Sequence, residues 1–260
     1  MIPARKGRLV GGLLSWDAER RLRTSFEAVR VLGLAHLEDA LARGPVIVVA
    51  NHTAWWDPLV AIFLTTRVVR ADAYAMMDAA NLRKFPFFAG VGAFGVDLDD
   101  PADGARALRY AKKLLNGPGR LVWIFPQGRE VPLGPRPLAF KGGSAELARL
   151  AKGAAVVPVA IRYEMGSTPK PSLYVSIGPS LPAPTRDLEQ DRARQERAVE
   201  AELARIERAL LGEPAGETVT QLLGRAAPDA PGGMTRLLAR LTAPREGNER
   251  RLPGHDSTSK

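Results

Sequence analysis

Val46-Ile47-Val48-Val49-Ala50 constrains the fold more than any other segment of this chain. It is an unbroken apolar run, mostly β-branched, bounded by Gly44-Pro45 and by the loop from Asn51 to Asp57. A run this short fits a strand better than a helix. It shows no polar alternation, so both faces must be covered. That is the signature of a buried strand in a parallel sheet with helices on both sides.

The rest of the chain supplies the partners such a strand needs. Residues 29–37 read as a strand and a turn. Further strands are expected within 67–76 and at 121–125, 154–163 and 173–177. Pro58 opens a helix that Asp57 can cap. Ala107, Leu108, Ala111, Leu114 and Leu115 repeat at helical spacing over 103–115, and Asn116-Gly117-Pro118-Gly119 stops that helix. Residues 143–152 form a helix closed by Gly153. Residues 188–211 form a long one with Val199, Leu203, Ile206 and Leu210 on one stripe and near-cancelling charges on a solvated face. Strands alternating with helices predict an α/β fold with a largely parallel central sheet flanked by helices. An N-terminal amphipathic helix precedes it. A mobile C-terminal tail, rich in Gly, Pro, Thr and Ser and with one helix-like stretch at 234–241, follows it. The expected division is 1–30, 31–212 and 213–260.

Composition narrows the chemistry. There is no Cys, which removes thiol nucleophiles, disulfides and zinc-thiolate sites. His36, His52 and His255 are the only histidines, so no multi-histidine metal site is expected. The net charge is +9. Residues 1–30 carry a share of it: Arg5, Lys6, Arg8, Arg20, Arg21, Arg23 and Arg30 oppose Asp17, Glu19 and Glu27. With Leu9, Leu13, Leu14, Leu22 and Phe26 at roughly helical spacing, this leader reads either as a membrane-surface helix or as one packed on the domain. No secretory signal is visible. The longest stretch without polar side chains, 85–96, would span about 18 Å as a helix against roughly 30 Å of hydrocarbon.

Several motifs fail on context. Gly90-Val91-Gly92-Ala93-Phe94-Gly95 has the letters of a dinucleotide fingerprint, but it runs into a strand-like segment instead of opening a helix. Gly142-Gly143-Ser144-Ala145-Glu146 lacks the last glycine of a nucleophile elbow. No phosphate-cradling GxxxxGK[ST] loop occurs. Basic residues are not interleaved with aromatics, so no nucleic-acid partner is expected.

Asn51-His52-Thr53-Ala54-Trp55-Trp56-Asp57-Pro58 is the informative segment. It follows the carboxyl end of the buried strand, where open α/β sheets bind ligands. Histidine suits general-base work near neutral pH, and a carboxylate on its other ring nitrogen fixes the tautomer. On one regular helix His52 and Asp57 would point roughly 140° apart, so the pair requires a loop. Adjacent Trp55 and Trp56 cannot both face one core side, which leaves one for a pocket or surface.

Asn51-His52-x4-Asp57 resembles the N-H-x4-D motif of the glycerolipid acyltransferases related to lysophosphatidate acyltransferase. Later blocks are similar in order: Asn81-Leu82 through Phe85-Pro86 to Val96-Asp97; Phe125-Pro126-Gln127-Gly128; Phe140-Lys141-Gly142-Gly143; and Val156-Val157-Pro158-Val159-Ala160. The resemblance implies that His52, oriented by Asp57, deprotonates an acceptor hydroxyl. That oxygen then attacks an acyl thioester, from acyl-CoA or acyl carrier protein, with backbone amides near Gly128 or the 90–95 loop holding the oxyanion. It implies no bound cofactor and no metal. It also implies a substrate site at Asn51, Phe125, Pro126, Gln127, Gly128, Arg129 and Lys141. The partners expected are a lipid acceptor and acyl carrier protein, with an anionic membrane surface for the basic leader and the protein peripheral on the cytoplasmic face. Phe85, Phe87, Phe88, Trp55 and Trp56 are candidates for an acyl tunnel or a membrane contact. Three departures bear on the acceptor: Gln127 stands where the family has Glu, Arg129 sits one position early, and Leu98 stands where an Arg is usual. They leave open a lysophospholipid, a glycolipid or another lipid alcohol, and a catalytically impaired lipid-binding module.

Overall fold

The computed structural model of the chain describes residues 1–216 and 218–224. In chain order the elements are α1 (Arg8–Ser25), β1 (Ala28–Leu32), α2 (Leu34–Arg43), β2 (Val46–Ala50) and α3 (Asp57–Phe63), the last running into a π-helical turn (Leu64–Val68). Then come β3 (Asp72–Asp78), α4 (Ala79–Lys84), a 3₁₀ segment (Pro86–Val91), β4 (Ala93–Val96), α5 (Pro101–Leu114) and β5 (Arg120–Ile124). The last are α6 (Gly143–Leu150), β6 (Ala155–Glu164), β7 (Ser172–Ile177), α7 (Leu188–Leu210) and β8 (Thr220–Gly224). The eight strands of the described residues join one sheet in the order β4-β3-β5-β2-β6-β7-β1-β8. The stretch from β4 to β6 is parallel throughout, β7 runs against β6, β1 is parallel to β7, and β8 is antiparallel to β1.

β2 lies inside the parallel stretch, between β5 and β6, and every residue in it is fully buried. Its pleat divides the core. Val46, Val48 and Ala50 face one layer with Leu22, Leu37, Val60 and Phe63 from α1, α2 and α3. Ile47 and Val49 face the other with Ala107, Ala111, Leu147, Val199, Leu203 and Ile206 from α5, α6 and α7. The α/β sheet flanked by helices read from the run is therefore the fold observed.

Four details differ from the sequence reading. Residues after β1 do not simply turn: Gly33, in the left-handed region at φ 69°, starts α2. Residues 67–76 are strand only from Asp72, because Leu64–Val68 continues α3 as a π-helical turn. The charges of α7 are not all solvated: Asp191, Glu196 and Glu202 are buried, and Glu196 accepts from Phe140 N. The segment from 213 holds a strand, β8, paired with β1, while residue 217 and residues 225–260, with the helix-like 234–241, lie outside the described residues.

The leader is part of the domain. Ile2 pairs with Gly95, Arg5 N donates to Ala89 O (2.9 Å), Gly7 N donates to Gly90 O (3.1 Å), and Lys6 pairs with Asp72. This strap covers the free edge of β4, which would otherwise present unpaired backbone groups. α1 then buries Ser15, Ala18 and Leu22 on the domain and leaves Leu9, Leu13 and Trp16 outward. The packed role expected of the leader is thus observed on one side of this helix, and its other side faces outward. Among the described residues no helix is long and apolar enough to cross a membrane.

Candidate active site

β2, β3, β4 and β5 are parallel, so their carboxyl ends open on one side of the sheet. The loop after β2 and the loop after β5 meet there. Asn51, the first residue beyond β2, is fully buried. Its Nδ2 donates to Ile161 O and its Oδ1 accepts from Ile161 N, both at 2.8 Å. Both ends of the amide are committed to β6, so Asn51 fixes where the loop leaves the sheet and does not reach the cleft. This corrects the substrate-binding role expected of it.

The loop folds around Asp57. This side chain is fully buried at the start of α3. Its Oδ2 accepts from His52 Nδ1 (2.7 Å), Thr53 N (2.7 Å) and Ala54 N (3.0 Å). Its Oδ1 accepts from the Tyr163 hydroxyl (2.5 Å). Two backbone amides already donate to Oδ2, which makes that oxygen an acceptor toward Nδ1. The Nδ1 proton of His52 is therefore spoken for, and Nε2 is the ring nitrogen available for chemistry. Burial, with Asp57 next in effect, pushes the ionisation of Tyr163 far up, so its hydroxyl stays a donor. No sequence pattern points to Tyr163. It lies 106 residues from Asp57, beyond the valine-proline block, and no local pattern links the two.

The loop after β5 packs on the same histidine. Phe125 lies against the His52 ring with centroids 4.7 Å apart. Gln127 is buried, and its Oε1 accepts from His52 N (2.6 Å). Val131 N donates back to His52 O (2.8 Å). The side-chain amide oxygen of Gln127 thus holds the backbone of His52 without needing a charge. Pro126 is buried and its carbonyl accepts from Lys141 N (2.9 Å). Gly128 sits at φ 72°, beside the Lys141 ammonium, where a Cβ would crowd that side chain. Arg129 and Lys141 are exposed. The amide of Gly128 donates to Phe125 O, and those of Gly92 and Gly95 to Ala89 O and Ile2 O, so these three are not free to hold an oxyanion. Among the described residues no group of His, Asp and Glu could hold a metal ion.

Beyond His52 lies a cavity of about 390 Å³, within the range of small-molecule sites. Pro58, Ala61, Ile62 and Thr65 wall it on the α3 side, Ala73, Ala75 and Met77 on the β3 side, and Phe85, Phe88, Val91 and Ala93 between. Leu98, Phe125, Gly128, Arg129 and Glu130 surround its His52 end. Small alanines and flexible methionine make much of this lining apolar, with Thr65, Asp78, Asn81, Arg129 and Glu130 among its polar residues. Trp55 is 52% exposed and lines the cavity, whereas Trp56 packs edge-on against Phe26, so the two indoles divide as expected. Phe85 and Phe88 line the cavity and Phe87 faces outward.

A family model described as acyltransferase matches residues 29–162, which hold the His52–Asp57 loop, the Phe125–Gly128 block, Lys141 and the valine-proline block. A 1-acyl-sn-glycerol-3-phosphate acyltransferase of Streptococcus pneumoniae (strain ATCC BAA-255 / R6) is 31% identical over 107 residues, which is 41% of this chain and 38% of that protein. The match thus spans about two fifths of the relative's length.

Proposed function

The chain belongs to the acyltransferase family, and we propose that it moves a fatty acyl group from a thioester to a hydroxyl of a lysophospholipid or similar glycerolipid. The observation that carries this reading is a histidine whose Nδ1 is bonded to a fully buried carboxylate while its ring borders an apolar cavity of about 390 Å³. His52 Nε2 takes the proton of the acceptor hydroxyl as that oxygen bonds to the thioester carbonyl carbon. The tetrahedral adduct collapses, the carbon–sulfur bond breaks, and the imidazolium returns its proton to the leaving thiolate. Asp57 stabilises the imidazolium meanwhile. The acyl chain occupies the cavity, where burial of each methylene contributes about 0.8 kcal/mol. No covalent acyl-enzyme is required, which suits a chain without cysteine.

The donor is acyl-CoA or acyl carrier protein, a substrate in either case and not a resident cofactor. Arg129 and Lys141, exposed at the His52 end, supply cations for an acidic acceptor headgroup. The protein works at an anionic membrane surface on the cytoplasmic face: outward Leu9, Leu13 and Trp16 enter the interface and the leader's arginines meet the headgroups.

A screen of lipid alcohols, each with one acyl-CoA and one acyl carrier protein donor, tests the reaction by free-thiol release. Release that rises with one acceptor class supports it; no stimulation by any lipid alcohol contradicts it. Co-sedimentation with anionic vesicles, lost on Leu13→Glu, is expected for the surface; equal sedimentation of both proteins would contradict it.

A further inference from the structure

We infer that Tyr163 is a positioning residue for the base, holding the Asp57 carboxylate in the one orientation that faces His52. The inference rests on the reading of His52 as general base and deepens it. The other three donors to Asp57 all reach Oδ2 and all come from residues 52–54. A carboxylate gripped through one oxygen can still swing about its terminal torsion, which is broad for aspartate. The Tyr163 hydroxyl grips the second oxygen, Oδ1, from a different element.

That element is separate from the loop. Tyr163 stands on β6, two residues beyond the Ile161 that Asn51 clamps through both its backbone groups. On one strand, residues two apart point to the same face. β6 therefore fixes the loop at its start, through Asn51, and at its end, through Asp57. The Tyr163 ring lies against Phe26, with centroids 5.7 Å apart, which holds the phenol in place. Packing alone would be served by phenylalanine, whereas a buried hydroxyl is unfavourable without a partner. The hydroxyl also draws on the Asp57 charge, and so moderates how strongly the carboxylate holds the imidazole proton. Glu130, in the loop after β5, acts on Tyr163 in the same sense as Asp57.

Tyr163→Phe tests this with a readout that needs no turnover. With three histidines in the chain, two-bond proton–nitrogen spectra resolve each imidazole. The expected result is that the His52 nitrogen shifts move while those of His36 stay. With turnover, kcat falls about tenfold, the worth of one hydrogen bond to a charged group, with KM for thioester and lipid unchanged. Should the phenylalanine variant not fold, 3-fluorotyrosine at 163 keeps the ring, strengthens the donor and moves the His52 nitrogens the opposite way. His52 nitrogen shifts identical to those of the unaltered protein would overturn the inference and leave the base assignment standing. Absence of thioester consumption by the unaltered protein would overturn the acyl-transfer reading, and the spectra would still decide Tyr163.

Discussion

Two loops meet at His52, and they are held in opposite ways. The loop after β2 is organised from within, around the buried Asp57, with β6 bracing its two ends. The stretch after β5 is organised from outside. Glu196 accepts from Phe140 N and Glu200 from Leu138 N, both at 3.1 Å, and Arg192 donates to Phe140 O at 3.2 Å, so α7 holds the segment that ends in Lys141. The first arrangement sets the orientation of the His52 ring. The second sets where exposed cations sit. On the proposed reading, faults in the first should appear in kcat, and faults in the second in the KM of the acceptor.

The largest expected effect follows from Asp57→Asn. The amide keeps the shape, but it offers a donor where four donors converge, and the His52 tautomer is no longer fixed. Acyl transfer should fall by about 10⁴ in kcat, by analogy with the loss of a triad carboxylate, with acceptor KM little changed. A residual rate within tenfold of the unaltered protein would break the contrast. Next comes Glu196→Ala, which removes the Phe140 N acceptor and leaves Arg192 without one of its carboxylate partners. About 2 kcal/mol of stability should be lost in urea unfolding, and the acceptor KM should rise several-fold more than kcat falls. The reverse pattern would assign α7 to the base instead. The smallest effect is expected of Gln127→Glu. A carboxylate oxygen accepts from His52 N as the amide oxygen does, so thiol release should stay within about threefold, under the worth of one ordinary hydrogen bond. A large gain would mean that charge at 127 matters to the chemistry.

The same contrast explains what was legible in the sequence. β2 announces itself because both of its faces are buried, which removes all polar alternation from 46–50. The His52–Asp57 pair is legible because its five-residue spacing excludes one helix face and so demands a loop. The residues that brace the site are not legible. Tyr163 and Glu196 meet their partners across 106 and 56 residues, through sheet pairing and helix packing that leave no local periodicity. Composition misreads α7 for a related reason: its net charge nearly cancels, which cannot tell a solvated acid from one turned inward to accept a backbone N–H. The leader presents the same ambiguity. Its apolar residues are too many for one face, and only the structure divides them between Leu22, packed on the domain, and Leu9, Leu13 and Trp16, turned outward. The 34–43 helix is hidden although Leu37, Ala40 and Leu41 have its spacing, because Gly33 reads as a turn and gives no sign of a helix start.

The central claim is that His52 is the base. Its most direct test is thiol release from a palmitoyl thioester, with and without a lysophospholipid, by the unaltered protein and by His52→Ala. Release that depends on the acceptor, and that falls by about 10²–10⁴-fold in the variant, is the result expected of a general base. Acceptor-dependent release that persists at the unaltered rate in His52→Ala would contradict it.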